Sequence, residues 1–232
     1  MTVELVRASA DDTDVIFAAR VSTQGEQTLA GALDEATDAA RSKGLINFLM
    51  RDRHGSPFEH NSMTFYVQAP IFVFREFMRH RIASYNEESG RYRQLRPVFY
   101  VPGPERNLLQ VGKPGAYEFL PGTPEQSAIA VQEAQTQAEQ AYASYLRMLD
   151  AGIAREVARV VLPLSIYSSM YVTMNARSLM NFLSLRTTRE GTHFPSFPQR
   201  EIEMVAEQME QHVARRMPVT YEAFNTNGRV AP

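Results

Sequence analysis

Met63-Thr64-Phe65-Tyr66-Val67-Gln68-Ala69-Pro70-Ile71-Phe72-Val73-Phe74-Arg75-Glu76-Phe77-Met78-Arg79-His80-Arg81 changes its period part-way along. Met63, Phe65 and Val67 alternate with Ser62, Thr64, Tyr66 and Gln68, the two-residue repeat of a strand with one buried face. Pro70 ends the alternation and suits the first position of a helix, where its missing N–H costs no hydrogen bond. A helix is therefore expected from about Pro70 into the arginines, with the aromatic segment 71–78 largely buried.

The flanking chain is richer in helices than in strands. Val3 and Leu5 predict a short opening strand, and Asp11 and Asp12 suit the start of a helix over 11–19 leading into Arg20-Val21-Ser22. Gly25 and Gly31 mark a mobile connection. A helix follows over 34–51, with Leu45, Phe48 and Leu49 on its apolar stripe. His54-Gly55-Ser56-Pro57-Phe58-Glu59-His60 reads as a turn. A short strand is expected near 98–101, then an irregular, Pro- and Gly-rich excursion to 124. Thr123-Pro124-Glu125-Gln126 combines a hydroxyl cap, a proline and a capping-box glutamine, so the longest helix should run from there to Gly152, with Ile129, Ala134, Ala138, Tyr142, Tyr145 and Leu149 at helical spacing. A shorter helix over 153–162, a strand over 164–172, a helix over 175–185 and a last helix over 199–216 complete the chain. Strands separated by helices give the class: α+β in preference to α/β, helix-rich, with a small central sheet.

The 232 residues are 44% hydrophobic and 22% charged, ordinary for a folded chain with a proper core. A net charge of −2 argues against a general nucleic-acid or membrane coat. Six arginines nevertheless fall between Arg75 and Arg96, which favours a compact anionic ligand over a long polyanion. There is no cysteine. Disulfides, thiolate-bound zinc, iron–sulfur clusters and cysteine nucleophiles are excluded together. No apolar run approaches the roughly 20 residues of a membrane span. The first residues lack the pattern of a signal peptide, so the cytoplasm is the expected location.

Arg79-His80-Arg81-Ile82-Ala83-Ser84-Tyr85-Asn86-Glu87-Glu88-Ser89-Gly90-Arg91-Tyr92 is the densest polar stretch. On a continuing helix, residues turn by about 100° each, so Phe74, Phe77 and Met78 share one face while Glu76, Arg79 and His80 fall opposite. Arg81 would leave on the side of Phe74 and Phe77. Two diverging guanidinium groups suit two anionic groups of a ligand, because their forked donors match phosphate oxygens. The plainer alternative is a solvated charged end paired with Glu76, Glu87 and Glu88.

Further candidates lie downstream. Arg155 and Arg159 are one turn apart, with Glu156 able to neutralise either. Arg177 and Asn181 share a face with Ser178, and with Asn175 they suit a purine edge, ribose or phosphate, or ordinary surface. Arg186 at a helix end also fits the helix dipole without any function. His54, His60 and His80 with Glu59 and Glu87 raise a metal site, but no pair has His-x-x-x-His spacing, so no metal is expected. His212 reads as surface. Ser89 lacks a nucleophile elbow, and a phosphate-binding hydroxyl beside Gly90 is the better reading.

Arg79-His80-Arg81, seven residues, then Ser89 resembles the signature motif of the flavin-dependent thymidylate synthases. Ala19-Arg20-Val21-Ser22, His54 to His60, Arg155 to Pro163 and Asn175-Ala176-Arg177-Ser178-Leu179-Met180-Asn181-Phe182 resemble other blocks of that family, in its order. The resemblance implies one domain over 1–232 with that family's fold, and methylation of dUMP to dTMP. It implies FAD as cofactor, methylenetetrahydrofolate as carbon donor, NADPH as reductant, and a homotetramer whose active sites are shared between subunits. It places FAD against Ser22, Ser56, Glu59, Arg79, His80, Arg81, Glu87, Asn175, Arg177 and Asn181. It places dUMP against Glu76, Arg79, Glu87, Glu88, Ser89, Gly90, Arg91, Arg159 and Arg186. Arg186 is implied as the catalytic residue at the uracil ring, and His54 as a contact for folate or NADPH.

The absence of cysteine agrees with this resemblance. Uracil C5 must become nucleophilic, the route through a thiolate added at C6 is closed, and the reduced flavin that the resemblance implies avoids the need for a covalent anchor. Two departures stand out. Glu76 replaces the glutamine of many members, and the segment 187–198 lacks the histidine expected soon after Arg186, where His193 is the available substitute. These departures keep a second expectation open, a catalytically silent protein that binds FAD and nucleotide. A histidine–carboxylate metalloprotein is the third.

Overall fold

The computed structural model describes residues 1–28 and 39–232. β1 (Thr2–Ser9) opens the chain as expected. Asp11 then caps α1 (Asp12–Gln24): its carboxylate accepts from the N–H groups of Thr13 and Asp14, and the Asp14 carboxylate accepts from Asp11 N–H. The helix runs on through Ser22 rather than stopping at Ala19, and it ends where Gly25 N–H donates to Val21 O. Gly25, at φ 54°, turns the chain into a single 3₁₀ turn, Gly25–Gln27. Gly31 and residues 34–38 of the expected helix lie outside the described residues. The described part is α2 (Ala39–Arg51). It buries Ile46, Leu49 and Met50, whereas Phe48 is exposed, its ring edge-on to His54 at 5.4 Å and 5.6 Å from the Arg51 guanidinium. The stripe is thus rotated by part of a turn from the expected one.

A 3₁₀ turn, Ser56–Glu59, leads into β2 (Ser62–Pro70). Met63, Phe65 and Val67 are fully buried, as their alternation predicts. Pro70 is the last strand residue and the N-cap of α3 (Ile71–Phe77). The expected continuation into the arginines does not occur. Met78 ends the helix, and the His80 carbonyl accepts from the Tyr85 hydroxyl at 2.7 Å instead of serving a next helical turn. Arg79, His80 and Arg81 therefore occupy an irregular link to β3 (Ser84–Glu87), and their divergence is not that of a helix surface.

Residues 98–101 form no strand; Phe99 makes one antiparallel bridge to Ile166. The expected irregular excursion contains an antiparallel hairpin, β4 (Leu109–Lys113) with β5 (Ala116–Leu120), pairing Leu109 with Leu120 and Lys113 with Ala116. Every β4 residue is exposed, so no buried face imprinted a period on the sequence. α4 (Pro124–Asp150) has the Thr123–Gln126 capping box expected of it. Ala138 and Tyr145 are its buried positions, while Ile129 stands exposed. The Tyr145 hydroxyl accepts from Leu95 N–H and the Tyr142 hydroxyl donates to Leu95 O, so two buried or half-buried tyrosines satisfy one backbone unit.

The helix expected over 153–162 is only α5 (Arg155–Ala158) followed by a 3₁₀ turn, Arg159–Val161, cut short by Pro163. The next strand is β6 (Tyr167–Met174), which starts three residues later than expected, because Ile166 N–H still bonds back to Pro163 O in a turn, and ends two residues later. A four-stranded sheet has the order β1-β2-β6-β3. α6 (Ala176–Arg186) and α7 (Arg200–Arg216) match the expected helices. A further helix, α8 (Pro218–Thr226), was not expected. Its first N–H groups, on Val219 and Thr220, are capped by the carboxylate of Asp12, over two hundred positions away, so no local signal announced it.

The described chain forms two compact units. One comprises residues 68–79 and 86–170, with Met1, and holds α3, the hairpin, α4 and α5. The other comprises residues 2–67, 80–85 and 171–232, and holds β1, α1, α2, α6, α7 and α8. Strands β2, β3 and β6 each contribute residues to both. The α+β class, helix-rich with a small sheet, is as expected. Among the described residues no helix is long and apolar enough to cross a membrane.

Candidate active site

In the unit that holds α6, the 3₁₀ turn Ser56–Glu59 packs against both α1 and α6. Ser22 on α1, Ser56 in the turn and Asn181 on α6 are all exposed. The Arg177 guanidinium ion-pairs with Glu59, and its Nε donates to Pro232 O. Gly55 is buried beneath it. A Cβ there would lie 2.7 Å from Arg177 Cζ and 2.8 Å from Pro232 O, so only glycine leaves the arginine in place. Gly55 was not singled out from the sequence, although it sits beside Ser56-Pro57. Asn175 is spoken for in part: its Oδ1 caps α6 by accepting from Ser178 N–H at 2.8 Å. Ser178 is buried and does not share an open face with Arg177 and Asn181.

His80 and Arg186 meet in the same unit. Arg186 Nε donates to His80 Nε2 at 3.1 Å, which puts the ring proton on Nδ1. The imidazole packs edge-on to Phe182 at 4.9 Å. Burial, and then the nearby Arg186 charge, hold the His80 pKa down from 6.5 to about 4. Tyr85, which fixes the His80 carbonyl, is itself pushed up to about 12 by burial and stays a neutral donor. Because the folded pKa of His80 lies below its free value, its contribution to stability is complete above pH 6.5 and is lost as pH falls toward 4. NMR should find the His80 ring neutral at pH 5.5. Stability should fall less between pH 6.5 and 4 in His80→Gln than in the unmodified protein, and equal slopes would remove His80 as the cause.

In the other unit, Glu88 is anchored on β6: its N–H donates to Ser169 O at 2.8 Å and its carboxylate accepts from Ser169 Oγ and pairs with Arg93 at 3.1 Å. Glu87 lies beside Arg159 and the buried Ser168 hydroxyl, which completes no well-formed hydrogen bond. Crowding of its carboxyl out of water raises the Glu87 pKa, opposed by Ser168 and the Arg159 charge. Ser89 starts a turn in which its carbonyl accepts from the N–H groups of Tyr92 and Arg93, and its Oγ accepts from Arg91 N–H at 3.3 Å. Gly90 is buried, and a Cβ there would come within 3.2 Å of both Arg159 Cδ and Leu95 Cδ1. Gly90 thus lets Arg159 close over the Ser89 turn. Glu156 pairs with Arg91 at 2.8 Å rather than with Arg155 or Arg159, which leaves Arg159 its place beside Glu87.

Other candidates are placed differently. Arg79 and Arg81 are exposed. Arg79 N–H donates to Glu76 O at 3.2 Å, and the two guanidinium groups make no hydrogen bond or ion pair among the described residues. The expected pairing of this stretch with Glu87 and Glu88 is therefore not made. Glu76 is half-buried on α3. His54 is exposed against Phe48, and His193 packs on Gly228, its N–H donating to Gly228 O at 2.8 Å. His212 is half-buried, edge-on to Phe65 at 5.9 Å, not a surface residue. Among the described residues no three His, Asp or Glu side chains gather as a metal-holding group.

Comparison with known proteins places this geometry in a family. The model of the thymidylate synthase complementing protein family matches residues 4–219. The flavin-dependent thymidylate synthase of Streptomyces coelicolor is 65% identical, over 100% of this chain and 94% of its own. That of Tropheryma whipplei is 58% identical over 100% and 95%, and that of Thermotoga neapolitana 40% over 96% and 89%. Among solved structures, the UMP/dUMP methylase PolB from Streptomyces cacaoi bound with 5-Br dUMP is 57% identical, with a TM-score of 0.92 over 100% of this chain and 97% of that one. Its complex with 5-Br UMP gives 55% and 0.89 over 100% and 96%. With the arginine motif, the capped helix of Arg177 and the His80–Arg186 pair carried on a chain alike from end to end, the protein belongs to the thymidylate synthase complementing protein family, that of the flavin-dependent thymidylate synthases.

Proposed function

We propose that this protein is a flavin-dependent thymidylate synthase that methylates dUMP to dTMP. FAD serves as its redox cofactor, 5,10-methylenetetrahydrofolate as carbon donor and NADPH as reductant. The folate methylene carbon becomes bonded to uracil C5 in place of the C5 proton, and one hydride from NADPH completes the methyl group. The displaced proton and one from solvent end on the two folate nitrogens that release the carbon, giving tetrahydrofolate and NADP+. The observation that carries this reading is the Arg186–His80 hydrogen bond. A guanidinium held by a neutral acceptor is oriented before charge develops on the pyrimidine, which is what electrostatic stabilisation of an anionic ring requires.

The residues present fit a flavin dinucleotide. Arg79 and Arg81 offer exposed guanidinium groups to a pyrophosphate, and Ser22, Ser56, Asn181 and the Arg177–Glu59 pair offer polar groups to the rest. Bound flavin supplies hydride transfer in a chain that has no cysteine to activate uracil covalently. Around dUMP, the Ser89 turn, Arg91 and Arg159 take the phosphate, with Glu76, Glu87 and Glu88 orienting nucleotide and arginines. Arg186 stabilises negative charge on the uracil ring, and His54 contacts folate or NADPH. Residues 1–232 act as one functional domain in a cytoplasmic homotetramer with shared sites.

The relatives' names and the ligands of the solved methylase support this substrate. They also favour a second reading, because that methylase holds a UMP analogue as well as a dUMP analogue. The test is an assay of purified protein with FAD, NADPH, the folate, and either dUMP or UMP, read by chromatography of the nucleotide. dTMP should form only with FAD present, and no dTMP under full supplementation would overturn the proposal. Methylated UMP at a matching rate would favour the second reading.

A further inference from the structure

Arg186 is the last residue of α6, and the helix end beneath it is tied down by groups that play no part in the site as described. Thr187 is fully buried. Its N–H and its hydroxyl both donate to Leu183 O, at 3.1 and 2.7 Å, so one orphan carbonyl of the last turn receives two donors. The lone pairs left on that hydroxyl are used by Arg229, whose Nη2 donates at 2.9 Å. Arg229 is 3% exposed, sits at φ 56°, lies 4.8 Å over the Phe224 ring and bonds to Asn225 Oδ1. Its Nη2 also pairs at 2.6 Å with Glu210, a buried α7 carboxylate that takes Arg189 at 2.6 Å and the Tyr221 hydroxyl at 3.2 Å.

The chain after Arg186 is pinned to the same cluster. Ser196 Oγ donates to Thr187 O at 2.7 Å, and Thr188 N–H donates to Glu203 at 2.8 Å. Both Glu210 oxygens and both terminal nitrogens of Arg229 are engaged, and the buried Arg229 Nε is without a partner among the described residues. Moving a member of such a cluster leaves further desolvated polar groups unpaired, which favours one arrangement. The cluster is hydrogen-bonded to the end of α6 at the Thr187 hydroxyl, a single residue from Arg186.

We propose that Arg229 and Glu210, acting through the Thr187 hydroxyl, are positioning residues that set the direction of Arg186. The proposal rests on the reading that Arg186 serves dUMP only in its effect on turnover; the effect on the Arg186–His80 contact stands without it. Small displacements of a group that must meet a developing charge are costly, up to about a hundredfold for about 1 Å.

The test is Thr187→Val, which keeps the buried volume and removes both hydroxyl bonds, with Thr187→Ser as the conservative control. In the holoenzyme, Thr187→Val should lower kcat/KM for dUMP about tenfold, within that range, with flavin retention unchanged. Thr187→Ser should restore kcat/KM to within about twofold of the original, since it keeps the hydroxyl. Without substrate, the His80 ring resonances should move in Thr187→Val toward those of Arg186→Ala. Combining Thr187→Val with Arg229→Lys should add little, since both cut one chain of contacts. Unchanged His80 resonances in a folded Thr187→Val protein, equal losses in the Val and Ser variants, or additive effects would overturn the proposal. If His80 moves while dUMP handling is normal in both Thr187→Val and Arg186→Ala, positioning stands and the nucleotide role of Arg186 fails. Should Thr187→Val not fold, Thr187→Ala with the same readings decides.

Discussion

Replacing Arg186 with alanine is expected to cut dTMP formation by about 10²–10³-fold, the usual loss for one donor aimed at developing negative charge, while FAD stays bound. The side chain reaches its position from the end of α6, and its Nε is committed to His80. Removing it leaves the half-buried imidazole without that donor and lifts one of the two causes that depress its pKa. The His80 pKa should therefore rise from about 4 in Arg186→Ala, although burial, the larger cause, keeps it below the free value. The Arg177–Glu59 pair is formed by other residues and should persist. Measuring kcat/KM for dUMP beside the flavin-to-protein absorbance ratio separates the two roles. Equal loss of both would show that Arg186 supports the flavin and not the pyrimidine.

What the sequence made legible follows from where each element found its partners. β2 was readable because one face is wholly buried, and α4 because Thr123 and Gln126 satisfy each other three residues apart. α8 was not, because its cap is Asp12 from the opposite end of the chain. The arginine stretch was misread as helix for a related reason: the group that takes the His80 carbonyl is a tyrosine side chain, not the next turn of backbone. Nothing in the spacing of Pro70 to Arg81 encodes that choice. The hairpin was invisible because both faces of β4 meet solvent.

The site divides in the same way. Residue types raised Arg79, His80, Arg81, Ser89, Arg159, Arg177 and Arg186 as candidates beside plainer readings, and the resemblance to a family, not spacing, set them apart. Which of them pair was not legible. Glu156 was next to Arg155 in sequence but bonds to Arg91, and Glu59 reaches Arg177 across more than a hundred positions. Gly55, Thr187 and Arg229 were not marked by their chemistry as parts of a site. Their roles depend on what packs against them, and for Thr187 the only hint was a hydroxyl following a helix-ending arginine.

Gly55→Ala should lower the FAD content of the purified protein by about tenfold or more, the worth of one lost charge-assisted hydrogen bond of roughly 1.5–3 kcal/mol. Gly55 has φ −74° and ψ −33°, a conformation open to alanine, so backbone strain plays no part. On that ground alone the substitution would stabilise the fold by about 0.4–1 kcal/mol through the unfolded chain. The space around it reverses the sign. The new Cβ would stand 2.7 Å from Arg177 Cζ and Nε and 2.8 Å from Pro232 O. A backbone carbonyl yields less readily than the tip of an arginine, so Arg177 has to leave and its bonds to Glu59 and Pro232 O go with it. Gly44→Ala is the control: it lies in α2 with nothing within 4 Å of its added Cβ, and should stabilise the protein by about 1 kcal/mol with full FAD content. Excess FAD should restore turnover in Gly55→Ala if the defect is one of cofactor binding. A folded Gly55→Ala protein that keeps its flavin would place Arg177 outside the cofactor's reach.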